Sequence, residues 1–273
     1  MVILLLILAA FIFIETPLGQ NWLAKQITKK FSRELKTKIS IRHVSFSLLN
    51  KLNIEDFLLE DQQHDTLLYA GNLQVRITDW FIFKDTAELK YVGLENSLIK
   101  LNRNDTSWNY QFLVNYFTPT SKTPKKQSGI EFNLKKLGLK NVVLIEKDAW
   151  QGQDMTATIG SLQMDANEIS VDKKNIDINS LYLVQPLLRL YSYTGKGNPG
   201  QKKDTVVTDS PSVIDSLLEW NQAGWTMNIT SLKIDNGSFK TIKQDNKPAL
   251  SYFDSKDIEF TAIDAQLTYG GNR

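Results

Sequence analysis

From residue 39 onward the chain alternates apolar and polar residues with a period of two, which predicts strands with one apolar and one solvated side. A longer pattern overlies this alternation: an apolar run, an Asn, Asp or Pro, and a second apolar run. It occurs at residues 52–59, 91–101, 137–145 and 232–239, with a weaker copy at 181–190. The copies recur roughly every 40 to 51 residues, a range typical of stacked repeats. We interpret each copy as a β-hairpin.

These patterns predict a mainly β protein. We expect residues 39–273 to form an elongated, curved antiparallel sheet, built from repeats, that leaves an open apolar groove. Two polar loops interrupt the strands, at 118–129 and 195–211, and each adjoins a short helix, predicted at 112–117 and around 213–220. We interpret these stretches as insertions that cover a rim or an edge of the sheet.

The N-terminus begins with an apolar run, Val2 to Ile14. A helix of this length covers roughly 20 Å, less than the ~30 Å hydrocarbon core of a bilayer. The run fits a membrane segment with a start site placed too late, a signal-peptide core, or a helix that continues through Pro17; a buried helix of a soluble domain is the alternative. We expect residues 1–16 to be a transmembrane anchor truncated at its start.

Residues 17–38 predict a basic amphipathic helix, because Leu18, Trp22, Ile27, Phe31 and Leu35 follow helical spacing. Such a helix could lie on lipid headgroups or cover the open end of the first sheet, and the sequence favours neither. The residues expected nearest the membrane are Trp22, Lys25, Lys29, Lys30 and Arg33.

Composition excludes several classes of function. The net charge is +2, which gives no field that would recruit nucleic acid, and the chain has no cysteine. The two histidines, His43 and His64, do not have the spacing of a metal site. No phosphate loop or nucleophile motif is present. We therefore expect neither an enzyme nor a cofactor or metal.

Apolar residues are the stronger signal. An aromatic cluster of Trp80, Phe81, Phe83, Trp108, Tyr110, Phe112, Tyr116 and Phe117 fits core packing or an apolar groove. Alternation assigns one set of positions to the groove, where they would shield acyl chains from water. This predicted lining is Ile54, Leu73, Val75, Ile77, Leu94, Leu139, Ile159, Leu162, Met164, Leu183, Ile234, Ile258 and Phe260.

Four segments, at 16–20, 39–44, 60–70 and 101–112, follow the apolar run in an order that resembles the N-terminal part of TamB-like proteins of the Bacteroidetes type, within the AsmA-like group. The resemblance covers most of the chain. It implies a single-pass inner-membrane anchor, with the bulk of the protein in the periplasm as a β groove. It also implies a role in outer-membrane biogenesis, through phospholipid transport or the assembly of outer-membrane proteins with a barrel partner.

The chain is shorter than those proteins and lacks the C-terminal region that meets the barrel partner, so we expect a fragment that continues beyond residue 273. Transport of phospholipid between the two membranes is the function that we expect. The alternatives are a scaffold for outer-membrane β-barrel proteins or autotransporters, and a closed β-sandwich ectodomain without lipid transfer. A hydrolase of envelope polymers is a weaker alternative, since no converging carboxylates are evident.

Overall fold

The computed structural model describes residue 13 and residues 16–47, 51–78, 86–117, 129–170, 173–197, 224–244 and 257–268. The helices in this part of the chain are α1 (Pro17–Leu35) and α2 (Gln111–Phe117). The strands are β1 (Ile39–Ser40), β2 (His43–Ser47), β3 (Lys51–Glu60), β4 (Thr66–Thr78), β5 (Thr86–Arg103), β6 (Gly129–Asp148), β7 (Gln153–Ser170), β8 (Asn175–Ser192), β9 (Thr226–Lys243) and β10 (Asp257–Thr268). The protein is therefore mainly β, as predicted.

Nearly all of the predicted anchor at 1–16 lies outside the described residues, as do most of the loops at 118–129 and 195–211 and the helix predicted near 213–220. The short helix predicted at 112–117 is present as α2. Neither α1 nor any other helix in the described part of the chain has the length and apolar composition needed to cross a bilayer.

The strands form one ten-stranded sheet in which β3 to β10 follow one another in chain order, with β1 and β2 both paired to β3. Most neighbours are antiparallel, but β5 and β6 are parallel, and so are β8 and β9. The prediction of an antiparallel sheet is wrong at these two pairs. Parallel neighbours require the chain to return to the end where it started, which takes a dozen or more residues.

The two predicted loops provide these returns. Residues 104–128 connect β5 to β6, and residues 193–225 connect β8 to β9. They are crossover connections, and their length is what a parallel pair needs. The prediction that they cover a rim or edge concerns residues that mostly lie outside the described ranges.

The five recurring patterns are also not hairpins. They lie within β3, β5, β6, β8 and β9, and each of these strands continues past its central Asn, Asp or Gln. That residue has a left-handed backbone, with φ between 49° and 53°, in all five strands: Asp56, Asn96, Asn141, Gln185 and Asn236. Asn and Asp tolerate this conformation in a tight turn and in an isolated kink alike, so residue type alone does not separate the two.

The left-handed residues occupy one line across the sheet, because the residues on either side of them pair one to one with the neighbouring strand. The oppositely directed strands β4 and β7 place a glycine on the same line. A Cβ on Gly160 would lie 2.9 Å from the carbonyl oxygen of Val184, so glycine makes room for the kink beside it. We name this line the crease; from β3 to β9 it contains Asp56, Gly71, Asn96, Asn141, Gly160, Gln185 and Asn236.

Apolar side chains stay on the same face of the sheet across the crease. Ala70 and Val142, just beyond the crease, belong to one buried cluster with Leu94, which lies just before it. Leu73 packs against this cluster from the near side and Phe57 from the far side. Because apolar residues are three positions apart at the kink and two apart elsewhere, strict alternation does not hold through the crease.

Helix α1 covers the apolar face at the first strands. It begins at Pro17, where the Thr16 hydroxyl accepts a hydrogen bond of 3.2 Å from the backbone N–H of Gly19. Ala24 packs with Val44 and Ile54, and Leu35 packs with Leu59. The helix thus lies over one end of the sheet, which was one of its two predicted positions.

Candidate functional site: the apolar face of the sheet

Two rows of cross-strand partners run the width of the sheet with no polar residue in either. Directly paired residues place their side chains on one face, so each row is a continuous aliphatic strip. The first row is Val44, Ile54, Leu73, Leu94, Leu139, Leu162, Leu183, Ile234 and Ala265. The second row is Leu52, Val75, Val92, Leu137, Met164, Leu181, Leu232 and Leu267.

A third apolar row lies on the other side of the crease. Its members are Leu59, Leu68, Ile99, Leu144, Ala157, Leu188, Phe239 and Phe260. The rings of Phe239 and Phe260 stack, with their centroids 6.4 Å apart. The three rows together make an apolar surface that extends from β3 to β10.

The predicted lining residues are distributed over this surface. Seven of them lie in the first row: Ile54, Leu73, Leu94, Leu139, Leu162, Leu183 and Ile234. Val75 and Met164 lie in the second row, and Phe260 lies in the third. Ile159 and Ile258 flank the third row on the same side of the crease, while the side chain of Ile77 lies outside the described residues.

Sequence reasoning missed the rest of the second row and most of the third. Val92, Leu137 and Leu232 lie two residues from predicted positions on their own strands, so the same alternation would have found them. Val142 and Leu188 lie beyond a kink, where counting by twos from the near side leads to the wrong face. Knowledge of the crease is needed to place them.

Cover over the apolar face decreases along the sheet. Val44 is fully buried and Ile54 nearly so, under α1, whereas Leu73, Leu139 and Leu183 are only partly buried. At the last strand, Phe260 is 56% and Leu267 is 62% exposed. Within the described residues, each strand from β6 to β10 packs closely only against its neighbours in the sheet. This part of the chain therefore forms a single layer.

The membrane-proximal residues predicted on α1 all face away from the sheet. Trp22 is 53% exposed and Leu18 is 76% exposed, and the four basic residues are exposed as well. Leu18 and Trp22 do not share the packed face with Leu35, and Gln20 and Ala24 occupy that face instead. The ring of Trp22 makes an edge contact with Phe13 at 6.5 Å.

An ion pair borders the apolar face where β5 and β6 end. Arg103 Nε lies 2.8 Å from Asp148 Oδ1, and Arg103 also binds the second carboxylate oxygen. Burial by itself would raise the pKa of Asp148, but hydrogen bonds from Arg103 and from the N–H of Gln151 outweigh it, so the pKa is lowered. Glu146 lies on the same strand and face, and there burial, with the charge of Asp148, raises the pKa.

The predicted aromatic cluster is described only in part. Trp108 and Tyr110 stack at 5.7 Å beside Arg103, and Tyr110 and Phe112 pack against the core under α1. These residues serve core packing, while Trp80, Phe81 and Phe83 lie outside the described residues.

The residues weighed for chemistry are dispersed. His64 is exposed in a turn with Nδ1 3.6 Å from Glu60, and His43 lies in β2 opposite Glu55. Asp61 is buried and binds the backbone N–H groups of Gln63 and Asp65, a common local role for an aspartate in a turn. No group of three possible metal ligands occurs within the described residues.

Comparison of the chain with protein-family models and with curated proteins found no match.

Proposed function

We propose that this protein is anchored in the inner membrane and carries phospholipid acyl chains toward the outer membrane, in an open groove formed by the creased sheet. The observation that carries the proposal is the pair of aliphatic rows that cross the sheet without one polar side chain. A soluble single layer rarely exposes a contiguous apolar surface of this kind without a ligand or partner for it.

Dimensions support this proposal. Neighbouring strands are about 4.8 Å apart, so the seven steps from β3 to β10 span roughly 34 Å along the crease. One leaflet of a bilayer is about 15 Å of hydrocarbon, half of the ~30 Å core. The strip is therefore longer than an acyl chain, and each CH₂ transferred to it from water contributes ~0.8 kcal/mol.

The groove needs no catalytic group. Headgroups would remain in water at the open side while the acyl chains lie on the rows near the crease. The protein would then act as a carrier and not as an enzyme, with membrane phospholipid as its partner. The anchor and the periplasmic position of the bulk are part of the proposal, supported by the apolar run at the N-terminus and by the order of the segments that resemble TamB-like proteins.

One feature favours a second candidate, a scaffold for outer-membrane β-barrel proteins that works with a barrel partner. Strand β10 pairs only with β9 among the described strands, so one edge carries backbone groups to which a strand could add. The sandwich alternative loses support, because the described strands all belong to one sheet.

The test compares two adjacent residues of β7 that point to opposite faces. Ile159→Lys places a charge on the apolar face, and Thr158→Lys places the same charge on the solvated face, where residue 158 is already exposed. Protein purified from membranes would be examined for bound phospholipid by mass spectrometry. We expect wild type and Thr158→Lys to retain lipid and Ile159→Lys to lose most of it, because an acyl chain cannot solvate an ammonium group. Lipid at background level in wild type, or equal amounts in the two variants, would refute the carrier.

A further inference from the structure

The polar face of the sheet contains a depression of about 470 Å³ over β5, β6 and β7. Its central row of cross-strand partners is Gln74, Gly93, Gly138, Gln163 and Tyr182. The two glycines have no side chain, and the Tyr91 hydroxyl covers this part of the floor, between Gln74 on one side and Gln163 with Tyr182 on the other. The depression is on the opposite face from the aliphatic rows.

The two glycines make room for a tyrosine. A Cβ on Gly93 would lie 2.7 Å from the hydroxyl oxygen of Tyr91, and a Cβ on Gly138 would lie 2.8 Å from it. Tyr91 therefore reaches over the first parallel strand pair, and its hydroxyl lines the depression above the two glycines. The Arg76 guanidinium stacks 5.0 Å from the centre of its ring.

The opposite wall is also a fixed tyrosine. The hydroxyl of Tyr182 donates a hydrogen bond to Asp235, and Lys233 Nζ lies 4.7 Å from the ring centre. The depression thus has a tyrosine at each side, both held by charged neighbours. Rings held in this way lose little conformational entropy when a ligand binds.

Polar groups around the floor are unused. The side chains of Gln74, Gln163, Ser161 and Ser180 make no hydrogen bond with any other residue in the described parts of the chain. The charged residues at the margin balance in number. Lys136 Nζ lies 3.1 Å from Asp165, and Lys140 is the cross-strand neighbour of Glu95 in the register of β5 and β6. The site therefore offers amide and hydroxyl groups without a net field.

We propose that this depression binds a sugar ring of a neutral glycan. Amide and hydroxyl side chains both donate and accept hydrogen bonds, as sugar hydroxyl groups do, and tyrosine rings present apolar surface to the C–H faces of a sugar. A peptide strand is disfavoured because β5, β6 and β7 are paired on both sides, and an anion is disfavoured by the balanced charge. The free volume of about 470 Å³ beside the Tyr91 side chain leaves room for one ring.

Saturation-transfer NMR on the full chain in detergent micelles tests the proposal, with chitotetraose and maltotetraose as probes. We expect saturable binding of at least one probe, and the two probes together show whether acetamido groups or the ring itself is recognised. The double variant Gln74→Ala/Gln163→Ala should weaken binding at least tenfold. The control Thr156→Ala, on the same strand and face as Gln163 but beyond the crease, should leave binding unchanged.

The single variants Gln74→Ala and Gln163→Ala, each expected to weaken binding less, serve if the double variant does not fold. Absence of saturable binding for both probes would overturn the proposal. Binding that is equal in wild type and in a folded Gln74/Gln163 variant would also overturn it, because the sugar would then bind elsewhere. Neither result bears on lipid carriage, which concerns the other face.

Discussion

The side-chain amide of Asn141 donates a hydrogen bond of 3.1 Å to the side-chain oxygen of Asn96, across the first parallel strand pair. Both residues have left-handed backbones, with φ of 53° and 51°. The kinks of two strands are therefore linked to each other on the side away from the apolar face. This contact sits on the crease, which carries the apolar surface from one half of each strand to the other.

Replacement of Asn141 should show that the crease depends on the left-handed backbone. Asn141→Val places a β-branched side chain at positive φ, which should lower the free energy of unfolding by about 1–3 kcal/mol. Asn141→Gly still allows the left-handed backbone conformation and loses only an exposed hydrogen bond. Its cost in free energy of unfolding should therefore stay within about 1 kcal/mol. Urea denaturation followed by circular dichroism measures both. Equal costs for Val and Gly would contradict the assignment.

Gly160→Ala tests the glycine that faces two kinks. The new Cβ would lie 2.9 Å from the Val184 carbonyl oxygen and 3.3 Å from the Gln185 Cβ, so backbone must shift. We expect a loss of about 1–3 kcal/mol, as for other overpacked sites. The neighbouring Ser161→Ala, which adds no atom, is the control, and thermal unfolding compares them. Unfolding of Gly160→Ala at the wild-type temperature would show that the kink tolerates a side chain there.

Those parts of the fold that depend on the two-residue period and on local composition could be predicted from the sequence. Alternation gave the strands and one apolar face, because a half-buried strand must alternate. The five patterns mark five of the strands that carry a left-handed residue; the sixth in the described part is β10, at Ala262. Their reading as hairpins failed because Asn96 or Asn141 satisfies both a turn and a kink.

The parallel strand pairs and the depression on the polar face could not be predicted from the sequence, for a different reason. Whether β6 returns beside β5 depends on the connection at 104–128, whose short helix and polar loop indicate an insertion when judged from the sequence alone. The contact of Tyr91 with both Gly93 and Gly138 can be recognised only when the register of β5 and β6 is known, because the two glycines lie on different strands. Pairing between distant segments is not encoded in local periodicity.

Arg103 and Asp148 predict a dependence of stability on pH. Because the pKa of Asp148 is lowered in the fold, its contribution is present above the ordinary carboxyl pKa and is lost as the pH falls through the lower folded value. Arg103→Met leaves a buried carboxylate without its partner and should cost about 3–5 kcal/mol at pH 7. In the variant, burial should raise the pKa of Asp148, so acid neutralises the carboxyl and the difference from wild type should shrink.

Urea denaturation at pH 7 and pH 4 measures this difference. The exposed pair Lys173 and Glu168, separated by 2.6 Å, provides the control. Lys173→Met should destabilise the protein much less than Arg103→Met at both pH values, as is usual for surface pairs. A difference for Arg103→Met that grows on acidification would contradict the assigned role of the pair.

The hydroxyl of Tyr193 should lose its proton at a higher pH than an ordinary tyrosine. Burial, followed by the hydrogen bond of 3.0 Å that its hydroxyl donates to Asp154, raises its pKa to about 12. The neutral phenol is the form favoured in the fold, so its contribution to stability is present below pH 10 and is lost as the pH rises toward 12. Ultraviolet absorbance at high pH, compared between wild type and Tyr193→Phe, isolates this group. Loss of an early-titrating tyrosine in the variant would contradict the prediction.

The position of α1 over the first strands can be tested with two adjacent residues that face opposite ways. Ala24 is 4% exposed against Val44 and Ile54, while Lys25 is exposed. Ala24→Glu buries a carboxylate with no partner in an apolar contact, so the helix should detach from the sheet. Lys25→Glu makes a larger change of charge on the solvated side and should leave the helix in place.

Hydrogen exchange followed by mass spectrometry reports the outcome, with residues 17–35 and 39–60 as the segments of interest. We expect Ala24→Glu to lose protection in both segments and Lys25→Glu to match wild type, because only the first variant separates the helix from β2 and β3. Detachment would also bare the start of the first aliphatic row, which begins at Val44, and so lengthen the apolar surface open to a ligand. Wild-type protection in Ala24→Glu would show that α1 does not depend on this contact.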